Sequence, residues 1–308
     1  MEKLFKLKEH GTDVKTEIIA GITTFLAMAY ILAVNPSYLG GIDGMSAGAV
    51  FSATAISAGI ATLCMAFFAN YPVALASGMG LNAFFAFTVC GAMGYSYKVA
   101  LTAVFIEGII FMLLSLFKFR EALVNKIPSN LKFAITAGIG LFIAIIALLN
   151  ANVVVASEST TVALGELSSP TVVLSLVGLL IIGALQHYKV PGGILLGILI
   201  TWVLGIMAQL VGWYVPNPEA GVYSVIPQFS LSSFEAPKMF QFDFGFIAKN
   251  IPAFILIVFT FLYTDIFDTV GTLIGVAEKG KLLDKDGSLP NATGALMADA
   301  VGTVVGAC

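Results

Sequence analysis

The sequence predicts an all-α polytopic membrane protein, and three observations carry that prediction. Of the 308 residues 58% are hydrophobic, only 11% are charged, and the mean hydropathy is +0.97, whereas a soluble domain carries about 25% charged residues to cover its surface. The apolar residues gather into about nine runs, each of the length that crosses a bilayer core about 30 Å thick. Lysine and arginine, finally, fall mostly on one side of the alternating threading that those runs define.

Taken in order, the runs cover residues 14–36, 48–70, 75–95, 98–117, 132–150, 170–187, 191–215, 245–274 and 291–308. The opening MEKLFKLKEHGTD is charged and has no apolar region followed by a cleavage site, so residues 1–13 read as a cytoplasmic tail and not a signal peptide. With the amino terminus inside, the inner segments hold Lys3, Lys6, Lys8, Lys15, Lys118, Arg120, Lys126, Lys132, Lys189, Lys279, Lys281 and Lys285, against Lys98, Lys238 and Lys249 outside. That asymmetry predicts a multi-pass protein of the cell membrane with a cytoplasmic N-terminus. Asn35-Pro36 and the run Val190-Pro191-Gly192-Gly193 read as turn punctuation. The polar stretches 150–169 and 216–243 carry Glu158, Glu166 and Glu219, the second also Pro216, Pro218, Pro227 and Pro237, and read as ordered covers on an outer face. The last run stops at Cys308 without a polar anchor, which predicts a chain that is part of a longer protein.

Composition also excludes functions. A net charge of −3 and a single arginine, Arg120, leave no polybasic surface, so no nucleic-acid partner is expected. Cys64, Cys90 and Cys308 form no paired motif, and with His10 and His187 they have no metal-site spacing, so neither a disulfide, a metal nor another cofactor is expected. His187 beside Lys189 sits at a span boundary and reads as a solvated interfacial residue.

Candidate chemistry lies in the ionisable groups at membrane depth, which are expensive to insert. They are Glu107 in VFIEGII, Asp265 and Asp268 in FLYTDIFDTVGT, and Asp299 in LMADAVGT. Asp265 and Asp268 are three apart and so neighbours on one helix face, with Thr264, Thr269 and Thr272 adding hydroxyls. Two carboxylates close together in low dielectric favour sharing one proton, as a proton-coupled transporter requires. The competing reading makes these acids helix caps or partners of Lys279. The third run, LASGMGLNAFFAFTVCGAMGY, is a poor continuous helix: Gly78 and Gly80 precede Asn82, Phe84, Phe85 and Phe87. It reads as a broken helix whose backbone, with the donor and acceptor of Asn82 and the flat faces of the aromatics, meets a planar ligand. Close packing by small residues is the alternative. The pentapeptide pattern D-x-V-G-T recurs at Asp268–Thr272 and Asp299–Thr303, too short an echo to establish a repeat.

Five segments, TEIIAGITTFLAMAYILAVNP, GMGLNAFFAF, PSNLKFAITAGIGLFIAIIAL, TDIFDTVGT and NATGALMADAVGT, together resemble the AzgA-like purine permeases of the nucleobase:cation symporter family along essentially the whole chain. The resemblance implies fourteen helices in two inverted seven-helix repeats, of which this chain holds about nine. It divides the chain into core helices 1–4 over residues 14–117, gate helices 5–7 with outer loops over 118–243, and core helices 8–9 over 244–308. It carries Gly80 and Asn82 over as third-helix site residues and Asp265 and Asp268 as acids of the eighth helix that contact purine or couple cation. Phe84 and Thr269 join the expected substrate-binding set, and Glu107 joins Asp265 and Asp268 in the expected proton-coupling set. A Thr-rich stretch and a Glu-Ser pair on the family's tenth helix lie beyond Cys308, so this chain alone is not expected to transport.

The implied function is import of hypoxanthine, guanine or adenine by proton symport, and not enzymatic catalysis. The alternatives are another solute on the same fold (a pyrimidine, a xanthine-like base or a small anion), a membrane enzyme, or a non-transporting subunit. The threading places no Lys or Arg at membrane depth, which disfavours an anion, and no acid or metal cluster sits at an interface to serve an enzyme. A subunit without transport would leave the burial of Asp265 and Asp268 unexplained. The preferred purine, the choice between proton and sodium, and pairing as a homodimer stay open at this level.

Overall fold

The computed structural model describes residues 5, 7, 11–116, 129–217, 224–226, 235–280, 282 and 289–308. Its helices are α1 (Val14–Met28), α2 (Ile31–Leu39), α3 (Ala47–Cys64), α4 (Met79–Ala83), α5 (Tyr97–Leu116), α6 (Ser129–Asn150), α7 (Pro170–His187), α8 (Gly193–Leu210), α9 (Gly245–Lys249), α10 (Ile251–Lys279) and α11 (Ala292–Ala307). Widened π turns, Met65–Ala69 and Phe84–Ala92, extend α3 and α4. Among the described residues six helical stretches are long and apolar enough to cross a membrane: Val14–Leu39, Ala47–Ala69, Tyr97–Leu116, Pro170–His187, Gly193–Leu210 and Ile251–Ala277. Three shorter apolar stretches, Met79–Ala92, Gly140–Asn150 and Ala292–Ala307, fall within the third, fifth and ninth runs. The chain is a multi-pass helical membrane protein. Large apolar side chains such as Ile18, Ile22, Leu179 and Leu180 are more than half exposed, which is costly in water and neutral against acyl chains.

Two expectations are corrected. The all-α reading gains an antiparallel hairpin, β1 (Val154–Ser157) paired with β2 (Thr161–Leu164), in the polar stretch after α6. The turn read at Asn35-Pro36 is instead inside α2: Pro36 occupies the helix and Asn35 is buried at 3% exposure. The charges Lys3, Lys6, Lys8, Lys118, Arg120, Lys126, Lys281 and Lys285, and Pro218, Glu219 and Pro227 of the second polar stretch, lie outside the described residues, as do the side chains of Lys132 and Lys279.

The chain forms two compact units, one of Met1–Thr24, Ile31–Gly140 and Phe234–Cys308, the other of Phe25–Tyr30 and Leu141–Ser233. In the second, α7 and α8 pack as a helical hairpin. Ser169 caps α7, accepting from Val172 N–H at 3.5 Å, with Pro170 at the first helical position where no N–H is needed. Trp202 Nε1 donates to Val225 O at 2.8 Å.

In the first unit α11 packs on both α3 and α5, while α10 packs on α5 and α2 on α3. Gly108 makes the α5–α11 contact possible, because a Cβ there would stand 2.8 Å from Val304 Cγ2. The largest buried cluster joins Phe85, Val89, Ala100, Ala103, Phe254, Ile257, Val258 and Phe261, and so fastens the third run to α5 and α10. Between Ala69 and Met79 the chain is a non-helical arm, left-handed at Asn70 and extended at Gly78. Unpaired backbone is tolerated at membrane depth only where other groups satisfy it. Here Leu75 N–H donates to Thr62 Oγ1 at 3.0 Å, Thr62 Oγ1 to Leu75 O at 3.3 Å, and Ala74 N–H to Thr24 Oγ1 at 3.1 Å.

Candidate functional site

The non-helical arm and the start of α4 form one wall of a cavity of about 180 Å³ inside the first unit. Ser77, Gly78, Leu81 and Asn82 contribute that wall; Asn35 comes from α2, Thr54 and Ser57 from α3, Glu107 from α5, Phe261 and Asp265 from α10, and Asp299 and Thr303 from α11. Glu107 is 1% exposed and Asp265 5%. Three carboxylates thus face one small volume, each delivered by a different helix.

Hydroxyls and amides organise the polar lining. Thr269, one turn beyond Asp265 on α10, donates its hydroxyl to Asp299 Oδ2 at 2.6 Å and lies 3.4 Å from Asp265 Oδ1, so one side chain bridges two acids on different helices. Elsewhere in the lining the Asn35 amine donates to Thr54 Oγ1 at 3.1 Å and to Ser77 Oγ at 2.9 Å. The Asn82 amine donates to Asn35 Oδ1 and to Ser77 Oγ, the latter at 3.1 Å.

The expected residues divide by position. Asn82, Asp265 and Glu107 line the cavity, and Thr269 reaches it through the two acids. Asp268 does not line it; its carboxylate packs against Gly78, where a Cβ would stand 2.7 Å from Oδ2. A separation of three leaves about 60° between Asp265 and Asp268 on their common helix face, enough to give each a different neighbour. Gly80 is also outside the lining, and the glycine on the wall is Gly78. Phe84 turns away to stack edge-on with Phe261 at 5.0 Å, and its neighbour Phe85 lines the cavity. Thr54, Ser57 and Ser77 went unread in the sequence, since small polar residues are ordinary in membrane helices, and Asn35 was read only as part of a turn. Asn35 had one usable signal, an amide in an otherwise apolar run.

The permease-family model matches residues 15–308. The chain belongs to the permease family. It is 44% identical over 311 residues to the guanine/hypoxanthine permease PbuO of Bacillus subtilis, covering 99% of this chain and 68% of that one. With the adenine permease AdeQ of Escherichia coli it shares 42% over 307 residues, 100% of this chain and 66% of the relative. With the guanine/hypoxanthine permease PbuG of Bacillus subtilis it shares 40% over 317 residues, 100% of this chain and 69% of the relative. The chain therefore spans about two thirds of the length of these curated relatives. Within this permease the cavity lies where the third run breaks, bounded by residues spread from Asn35 to Ala307.

Proposed function

We propose that the complete protein imports purine nucleobases, hypoxanthine, guanine or adenine, across the cell membrane by proton symport, with its N-terminus in the cytoplasm. The observation that carries the reading is that Asn82, beside the break in the third run, and the buried carboxylate of Asp265 face the same cavity. The names of the relatives supply the substrate class. In this reading Asn82 and the backbone near Gly80 hold one edge of the purine and Asp265 another, while Phe84 supports the wall through Phe261. Asp265, Asp268 and Glu107 handle the coupling proton, and Thr269 transmits the protonation of Asp265 to Asp299. Residues 14–117 and 244–308 act as the core that carries the site, and residues 118–243 as the gate, in the inverted seven-helix repeat of the complete protein.

The test is uptake of labelled hypoxanthine, guanine and adenine by the complete protein in cells lacking their own purine permeases, with and without an uncoupler, beside Asp265→Asn. Uptake that collapses with the uncoupler and with the substitution supports the reading. A well-inserted protein that takes up none of the three purines refutes it.

A further inference from the structure

We propose that Asn35 is a positioning residue that fixes the hydrogen-bonding polarity of Asn82, so that the third-run wall offers a ligand one acceptor, Asn82 Oδ1, beside one donor, the Ser77 hydroxyl. The inference rests on the reading above, that a purine occupies this cavity, and adds a rule for which edge of the ligand fits there.

The polarity follows from counting hydrogens along the chain of contacts. Thr54 spends its only hydroxyl hydrogen on Val50 O at 2.7 Å, so toward Asn35 it can only accept. The Asn35 atom facing Thr54 is therefore the amine, and its two hydrogens go to Thr54 Oγ1 and Ser77 Oγ. That orientation leaves Asn35 Oδ1 to face Asn82, which must answer with its own amine. The second hydrogen of that amine goes to Ser77 Oγ. Both donors of Asn82 are then occupied, and Oδ1 is the atom it has for a ligand. Ser77 accepts twice, from Asn35 and from Asn82, which fills both lone pairs and leaves its O–H to donate.

Asn35, in a run that otherwise reads as a plain membrane helix, is thus wired from a helix-backbone carbonyl of α3 to the ligand-facing atom of the third run. The links span 19, 42 and 47 residues of sequence, so the orientation depends on α2, α3 and the non-helical arm being assembled together. A buried amide held at all its polar atoms does not flip without leaving partners unsatisfied. The wall therefore selects a ligand edge with an N–H opposite Asn82 and an acceptor opposite Ser77, as adjacent ring nitrogens, exocyclic amines and carbonyls of a nucleobase provide.

The experiment measures uptake kinetics of labelled hypoxanthine, guanine and adenine by the complete permease in cells without their own purine permeases, with the inserted amount of each variant determined in parallel. Asn35→Leu removes every link at similar volume; Thr54→Val removes only the hydroxyl that orients the chain. Asn35→Leu should raise KM about tenfold, with maximal rate per inserted molecule changed about twofold or less. Thr54→Val should raise KM by a smaller factor, and it decides the matter if Asn35→Leu fails to insert. Because Asn35 acts through Asn82, the double variant Asn35→Leu/Asn82→Ala should be no worse than Asn82→Ala alone. An unchanged KM in inserted Asn35→Leu, or in Thr54→Val where that variant decides, or losses that multiply in the double variant, defeats the inference while a defective Asn82→Ala leaves the transport reading intact. Wild-type kinetics in Asn82→Ala would instead defeat the placement of substrate in this cavity.

Discussion

Thr269 and Asp299 meet across the α10–α11 interface through a 2.6 Å hydrogen bond, donated by the hydroxyl to Oδ2. The same hydroxyl lies 3.4 Å from Asp265 Oδ1. Two carboxylates, one 4 residues before Thr269 and one 30 residues after it, are thereby tied to one small side chain.

Thr269→Val keeps the shape of that side chain and removes its hydroxyl. Loss of a charge-assisted bond is worth about 1.5–3 kcal/mol, so purine uptake per inserted molecule should fall by about tenfold or more, and Thr269→Ser should retain most of it. Equal uptake by the valine and serine variants would show that the bridge has no part in transport.

Gly78→Ala brings a methyl group to within 2.7 Å of Asp268 Oδ2. The obstacle is the end of a side chain, so the carboxylate moves and the helices do not have to. The alanine variant should insert normally yet lose uptake, and combining it with Asp268→Ala, which clears the space, should add little further loss. Normal transport by Gly78→Ala would detach Asp268 from the mechanism.

Glu107 is 1% exposed on α5 and lines the cavity beside α11. Glu107→Gln keeps its volume and removes its ability to ionise, so it should insert and bind purine while losing the uncoupler-sensitive part of uptake. Glu107→Gln with unchanged concentrative uptake would exclude it from proton handling. Glu107→Leu separates this from packing, since a purely structural role tolerates leucine.

Asp13 caps α1, accepting from Thr16 N–H at 2.7 Å, and that bond holds its carboxyl below the usual carboxylate range. A lowered value in the folded state means the cap is present above the ordinary carboxylate value and is lost as pH falls through the lowered one. Hydrogen exchange at Thr16 should therefore be faster in Asp13→Ala than in wild type near neutrality, and the difference should vanish in strong acid. An identical exchange rate near neutrality would show that the cap does not hold the first turn.

Much of this arrangement was legible in the residues. The runs at 98–117, 170–187 and 291–308 coincide with α5, α7 and α11 to within a few residues because apolar length and flanking polarity act locally. Gly78 and Gly80 marked the break in the third run, and the chain is non-helical up to Gly78. Glu107, Asp265 and Asp299 stood out because acids are rare at membrane depth, and all three line the cavity. Of the adjacent pair Phe84 and Phe85, the expected substrate contact was Phe84. The packing of α10 turned one toward Phe261 and placed the other on the cavity.

By itself the sequence determined the lipid solvent of this protein, the places of its apolar helices, the site of the broken helix and the buried acids. Each of these follows from the cost of moving nearby residues between water and lipid, a property of contiguous segments. The tertiary structure alone decided that Asp268 faces Gly78 while Asp265 faces the cavity, that Thr269 joins Asp265 to Asp299, and that the amine of Asn82 meets the oxygen of Asn35. The direction of a hydrogen bond depends on which atom its partner has left to offer, and here those partners come from other helices.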